Sequence, residues 1–254
     1  MMLIDCHNHI DSKQFHKDID KVLERAKKAG VKAIINNGLL PESNRKTLEL
    51  ASKHDVIKAA LGLYPVDVLN LKMSDKDIDD EIDFIQKNKD KIVAVGEIGL
   101  DFYWVKEDYK RQRQKELFQK MIDLAIEIKK PIIVHSRKAE KETIEIIEKS
   151  GIKKVMMHCF CGTIELVKRI EKNGWYLSIP CTVVRSAHFQ QVVKEVNINK
   201  LLTETDGPYL SPFPRKRNEP ANIAVSVKKI AEIKNMDEEE TGKNIFMNFQ
   251  HLFL

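Results

Sequence analysis

The sequence predicts an α/β chain folded as a (β/α)8 TIM barrel with additional C-terminal helices. Three observations lead there. Short runs rich in β-branched residues alternate with longer segments of helical period. The alternation repeats eight times at comparable spacing, where an open doubly wound sheet would usually use fewer strands. Two further amphipathic segments follow the eighth repeat. With 254 residues, 43% of them hydrophobic, the chain can bury one large core, so residues 1–254 read as a single domain. No low-complexity linker and no internal sequence repeat divides it.

Taken in order, the first strand is MLIDCH, and FHKDIDKVLERAKKAG (15–30) is a helix closing on Gly30. VKAIINN (31–37) is the second strand, with a helix over 41–53. VIKAALGLY (56–64) is the third, with a helix over 74–89. KIVAVGEIG (91–99) is the fourth, followed by QRQKELFQKMIDLAIEIKK, a helix that stops at Pro131. PIIVHS (131–136), KKVMMHC (153–159), GWYLSIP (174–180) and KLLTETD (200–206) complete the strands, with helices over 138–150, 163–173 and 185–197 between them. ANIAVSVKKIAEIKN and DEEETGKNIFMNFQHLFL supply the two C-terminal helices.

Composition narrows the class. No apolar run approaches the roughly 18 residues a membrane span needs, and the N-terminus leads into a polar, histidine-rich stretch, so a soluble, cytoplasmic protein is expected. Cys6, Cys159, Cys161 and Cys181 lack the density of a disulfide framework and the paired C-x-x-C spacing of a zinc knuckle, which makes reduced thiols the expectation. A net charge of +5, from 43 basic and 38 acidic residues, says only that a polyanion is not repelled.

In a barrel of this kind chemistry collects where strands end, on the C-terminal face. His7 and His9 fall at the end of the first predicted strand, Glu97 and Asp101 at or just past the end of the fourth, His135 at the fifth, His158 at the sixth and Asp206 at the eighth. The other histidines, His16, His54, His188 and His251, lie in helices or connections, where a structural role is the ordinary reading. Alternation places Asp5, His7 and His9 on one face, so two imidazoles can grip a cation while Asp5 supports one of them from behind; Cys6 and Asn8 would turn away. Four imidazoles with Glu97 and Asp206 are too many for one tetrahedral ion. They suit two divalent ions roughly 3.5–4 Å apart, bridged by a carboxylate. Singly, each has a plain explanation, such as a hydrogen-bonded histidine or a turn aspartate before Gly207 and Pro208. Their convergence on strand ends favours metal.

The motifs DCHNH, GEIGLDFY, IIVHSR, MHCFCG and TETDGPYL followed by RNEP, in this order, resemble the TatD family of metal-dependent deoxyribonucleases, amidohydrolase-like TIM barrels. The resemblance spans the chain from Asp5 past Pro220. It implies that His7, His9 and Asp206 bind one ion, that Glu97 bridges, and that His135 and His158 hold the second. It also implies Mg²⁺ or Mn²⁺ dependence and 3′ exonuclease action on single-stranded DNA. Four imidazoles make Zn²⁺ plausible as well. Two positions depart from the family: Tyr64 in GLYP replaces the usual histidine before the proline, and Cys161 in CFCG replaces a common serine. These leave the substrate open.

Asp206 is the candidate to orient or deprotonate the attacking water, and Glu204, two residues earlier, either shares that role or is a buried residue paired with a barrel polar group. Arg137, Tyr64 and Asp101 are candidate substrate contacts; Arg137 reads equally as a salt bridge at a helix start. Lys110, Arg111, Arg113, Arg215, Lys216 and Arg217 are either phosphate tracks or solvated faces, and Tyr103 and Trp104 either stack bases or pack on the rim. Function therefore divides between a deoxyribonuclease, a hydrolase of a small phosphoester or amide-like substrate on the same barrel, and an idle barrel that binds a partner. The complete ligand set argues against the last.

Overall fold

The computed structural model describes residues 1–254. Eight strands, β1 (Leu3–Asn8), β2 (Val31–Asn37), β3 (Ile57–Leu61), β4 (Ile92–Asp101), β5 (Ile132–Arg137), β6 (Val155–Met157), β7 (Tyr176–Pro180) and β8 (Leu201–Glu204), form one parallel sheet in chain order. β8 returns beside β1 and nearly closes a barrel. The seam is irregular: Thr203 Oγ1 donates to the Ile4 carbonyl at 2.6 Å, Asp206 N–H to the His7 carbonyl at 2.9 Å, and His9 N–H to the Gly207 carbonyl at 2.8 Å.

The helices are α1 (Ile19–Ala29), α2 (Pro41–Lys53), α3 (Pro65–Asn70), α4 (Asp75–Lys87), α5 (Asp108–Glu127), α6 (Glu140–Ser150), α7 (Ile164–Lys172), α8 (Ala187–Glu195), α9 (Ile223–Lys234) and α10 (Glu238–Phe253). Their ends follow local chemistry. Gly30 caps α1 with φ 95°, Pro41 starts α2, and Ser74 with Asp77 forms a reciprocal capping box on α4. Two expectations differ from the fold. Residues 15–18 are turns ahead of α1, in which Phe15 is buried, and the short helix α3 was not expected because six residues carry no readable period. No helix is long and apolar enough to cross a membrane.

Two apolar clusters divide the core. The larger packs the outer strand faces against the helices. The smaller joins inward residues such as Ile4, Ala33, Ala60, Ala94, Ile133, Met156 and Leu202 to Phe249, Leu252 and Phe253 of α10. The C-terminal helix thus closes the barrel floor, and burying Phe249 and Phe253 contributes about 1.5–3 kcal/mol each. The opposite mouth is left polar.

Register shifts occur at the two places that matter for chemistry, between Asp5 and Asn8 of β1 and between Val95 and Ile98 of β4. Glu97 therefore lies within β4, four residues before its end, and still reaches the mouth. Gly62 makes room for that bend: a Cβ there would lie 2.5 Å from the Glu97 carbonyl oxygen. Gly99, with φ 141°, would likewise place a Cβ 2.0 Å from the His135 carbonyl.

Candidate metal centre

His7 and His9 leave the end of β1, Asp206 follows β8 in a left-handed conformation (φ 52°) that aspartate tolerates, and Glu97 enters from β4. His7 Nε2 and His9 Nε2 are 3.1 Å apart. Glu97 Oε2 lies 3.3 and 3.5 Å from them, and Asp206 Oδ1 lies 3.7 and 3.5 Å away. Ligands at about 2.0–2.1 Å from a tetrahedral ion are separated by about 3.3 Å, and these five spacings are of that order; donor atoms of His7, His9 and Asp206 lie within 4.8 Å of one another. The four side chains come from three separate segments of the chain, the end of β1, β4 and the residue after β8.

The other oxygen of Glu97, Oε1, lies 3.1 Å from His135 Nδ1. His158 stacks on His7 with ring centroids 3.7 Å apart, and donor atoms of His7, Glu97 and His158 lie within 4.8 Å of one another. Glu97 is thus shared between two donor groups. Three imidazoles are held from behind: His9 Nδ1 by the Asn37 carbonyl (3.0 Å), His135 Nε2 by Asp101 Oδ2 (3.0 Å), and His158 Nδ1 by Glu204 Oε2 (2.7 Å). His7 Nδ1 is buried without a partner.

Charge follows this arrangement. Burial opposes protonation of His9 and His158, yet the Asp206 bond and Glu97 charge carry His9 up to about 9, and the Glu204 charge and bond carry His158 up to about 10. Burial and the neighbouring His158 lower His7. Glu97 and Asp206 are held below the usual carboxylate range by facing imidazoles despite burial. Imidazoles facing carboxylates in this way are a donor set that fits divalent ions.

Several expected roles need correction. Asp5 supports no histidine: its oxygens accept from Thr205 N–H (2.8 Å), Thr205 Oγ1 (2.5 Å) and Asn8 Nδ2 (3.0 Å), and burial raises its pKa to about 7. It ties β1 to β8. The slip after Asp5 breaks strict alternation, so Asn8 joins this network and Cys6 packs with the inner core. Asp101, expected to touch substrate, is fully buried; Oδ1 accepts from the Tyr103 and Trp104 N–H groups and Oδ2 from His135 and, at 3.4 Å, Tyr64. Of the two readings of Glu204, the structure shows the buried pairing: it lies behind His158 and is bonded also to Ser178 Oγ.

A cleft of about 700 Å³ opens over the centre, lined by His9, Glu97, His135, His158 and Asp206. Tyr64, Asp67, Trp104, Arg137 and Tyr209 form its walls. Arg137 makes no salt bridge; its guanidinium lies over Tyr103, 4.0 Å from the ring centroid. Trp104 and Tyr209 are 63% and 56% exposed, so neither is packed into the rim. Half of the suggested phosphate tracks are spent elsewhere: Lys110 pairs with Glu107, Arg113 with Asp75 and Arg217 with Asp18. Tyr209 and Asp67 escaped the sequence reading. Tyr209 sits three residues past Asp206, a position its motif exposes.

A family model for TatD-related DNases matches residues 4–254. The chain belongs to the TatD family. Among TatD relatives, an uncharacterized metal-dependent hydrolase of Methanocaldococcus jannaschii is 39% identical over 245 residues, covering 96% of this chain and 94% of its own. Deoxyribonuclease TATDN3 of Homo sapiens is 33% identical over 258 residues, covering 99% and 94%. The crystal structure of YjjV, a TatD homolog from Escherichia coli, matches with a TM-score of 0.90 at 28% identity, covering 99% and 97%. This TatD protein is a metal-dependent hydrolase on a TIM barrel.

Proposed function

We propose that the protein is a two-metal deoxyribonuclease acting through one domain, residues 1–254, on phosphodiester bonds at the 3′ end of single-stranded DNA. The observation that carries this reading is the sharing of Glu97 between the two donor groups, with Oε2 turned to His7 and His9 and Oε1 to His135. His7, His9 and Asp206 would hold one ion and His135 and His158 the other, with Glu97 bridging. Mg²⁺ or Mn²⁺ serves activity, and Zn²⁺ suits the imidazoles. Such ions, when bound, lower the pKa of water and neutralise charge developing on a phosphate.

The protein's own groups divide the remaining work. Asp206 keeps 16% side-chain exposure against 4% for Glu97, so it is the carboxylate that meets water in the cleft and accepts its proton. Asp101 and Glu204 fix the rings of His135 and His158. Arg137, unpaired at the mouth, presents a planar fork to a phosphate oxygen. Burial and the charges of Glu97 and Asp101 push the Tyr64 phenol upward, which keeps it a hydrogen-bond donor. Trp104 and Tyr209 offer exposed faces to unstacked bases. The DNase name of the TatD relatives supports DNA over other esters.

The test is cleavage of end-labelled single-stranded DNA by wild type and His135→Ala with Mg²⁺, Mn²⁺ or Zn²⁺, beside chromogenic phosphodiester and amide substrates. The proposal expects shortening from the 3′ end by wild type only. Turnover of the small substrates with intact DNA would replace it with a small-molecule hydrolase.

A further inference from the structure

Beside the cleft lies a second hollow of about 850 Å³, between the start of α5 and the loop from β5 to α6. Phe102 and Tyr103 lie at its base, and Lys106, Arg111, Lys115 and Lys138 line it against two carboxylates, Asp108 and Glu142. Some lysines of the chain are neutralised by carboxylates one helical turn away, as in Lys28 with Glu24 on α1 and Lys53 with Glu49 on α2. Lys106, Lys115 and Lys138 have no such partner. Lys106 Nζ reaches only the Phe102 carbonyl, at 3.4 Å, and stands 5.3 Å from the Tyr103 ring centroid; Lys115 Nζ stands 5.7 Å from that of Phe102. The Arg111 guanidinium lies 4.8 Å from the Phe102 ring centroid, and its one carboxylate, on the fully exposed Asp108, is 3.8 Å away. Cations gathered over aromatic rings without matching carboxylates favour an anion with an apolar face.

The hollow borders the cleft. Trp104 lines the cleft and Tyr103 lines the hollow, with ring centroids 4.9 Å apart. Arg137 covers both, 4.0 and 5.7 Å from their centroids. A chain leaving the metal centre meets, in sequence, an exposed indole, a guanidinium over a phenol ring, and unpaired ammonium groups.

We infer that this hollow is a second binding segment for single-stranded DNA, holding the phosphates of the strand away from the bond being cut, with Tyr103, Trp104 and Arg137 as the stacking saddle between the two. The inference rests on the nuclease reading above and adds to it where the uncut strand runs. Its lysines, outside the catalytic and metal-binding set, set affinity for length and not the rate of the chemical step.

The test compares wild type with the triple variant Lys106→Gln, Lys115→Gln, Lys138→Gln. Binding of fluorescein-labelled oligodeoxynucleotides of about 12 and about three nucleotides is followed by anisotropy in EDTA while salt is varied. The longer strand is expected to bind the variant about tenfold or more weakly, with the slope of log K against log salt reduced by about 2, since each single-strand phosphate contact contributes about 0.7. The shorter strand and hydrolysis of bis(p-nitrophenyl) phosphate should not change. Equal affinity and equal slope for the longer strand would overturn the inference. If the lysines govern binding but wild type cuts no DNA, the hollow stands as a strand site and the nuclease reading falls.

Discussion

Replacing Asp101 by asparagine tests the metal centre without removing a ligand. In the wild type, Oδ1 accepts from two backbone N–H groups at 2.9 Å each, and Oδ2 accepts from His135 Nε2 at 3.0 Å. Asparagine has a single oxygen. That oxygen stays with the two N–H groups, which turns the amide NH2 toward His135 Nε2. The ring must then accept at Nε2 and carry its proton on Nδ1, the atom 3.1 Å from Glu97 Oε1 and the one available to an ion. Loss of an outer partner of this kind costs about 10- to 100-fold in metal affinity, or about 1.4–2.7 kcal/mol, and a reversed tautomer belongs at the upper end. Calorimetric titration of the chelator-stripped variant with Mn²⁺ or Zn²⁺ should show the first equivalent binding as in wild type and the second weakened by that factor. Two unchanged equivalents, or equal loss of both, would refute the reasoning.

Other outcomes follow from the same geometry. Gly62→Ala places a Cβ against the backbone of Gly96 and Glu97, so urea unfolding should show a loss of about 1–3 kcal/mol together with weakened metal binding; a neutral result would mean the β4 bend relaxes freely. In the metal-free protein His9 and His158 hold protons with pKa values near 9 and 10. Each ion must displace one of them, so the apparent affinity of each site should climb with pH by about one decade per unit below about 9, which chelator competition between pH 6 and 9 would measure. For the stripped protein the sign is opposite. These raised pKa values stabilise the fold fully below about 6.5, and that stability is lost as pH rises through 9 to 10, visible as a falling Tm. Trp104→Ala should raise KM for single-stranded DNA by about 5- to 100-fold through loss of one stacked base while leaving stability within about 0.5 kcal/mol, because the ring is 63% exposed.

The eight strands and the six residues gathered at the mouth could be read from sequence because both signals are positional. Strand alternation and the rule that strand ends face the mouth apply residue by residue. The supporting network could not be read. Whether Asp5, Asp101 or Glu204 backs a histidine depends on register; β4 slips with only its glycines as a mark, and β1 slips with none. Asp5 lies at the β1–β8 seam, and the supporting roles fall to Asp101, expected to meet substrate, and to Glu204, whose buried, paired reading is one of its two alternatives. Charge runs leave two readings open for a different reason: Arg113 and Arg217 find carboxylates on neighbouring elements that no local pattern reveals, whereas Lys110 pairs with Glu107 three residues earlier. Trp104 and Tyr209, by contrast, stay exposed beside the site with nothing on the outside of the barrel to cover them.

The central claim is that two ions share Glu97 and act together on a phosphodiester. Its most direct test is a titration of chelator-stripped protein with Mn²⁺, reading both bound metal and cleavage of 3′-end-labelled single-stranded DNA at each step. Cleavage that rises with the second equivalent, and that His135→Ala abolishes while retaining the first, is the predicted result. Full cleavage after one equivalent, or none after two, would contradict it.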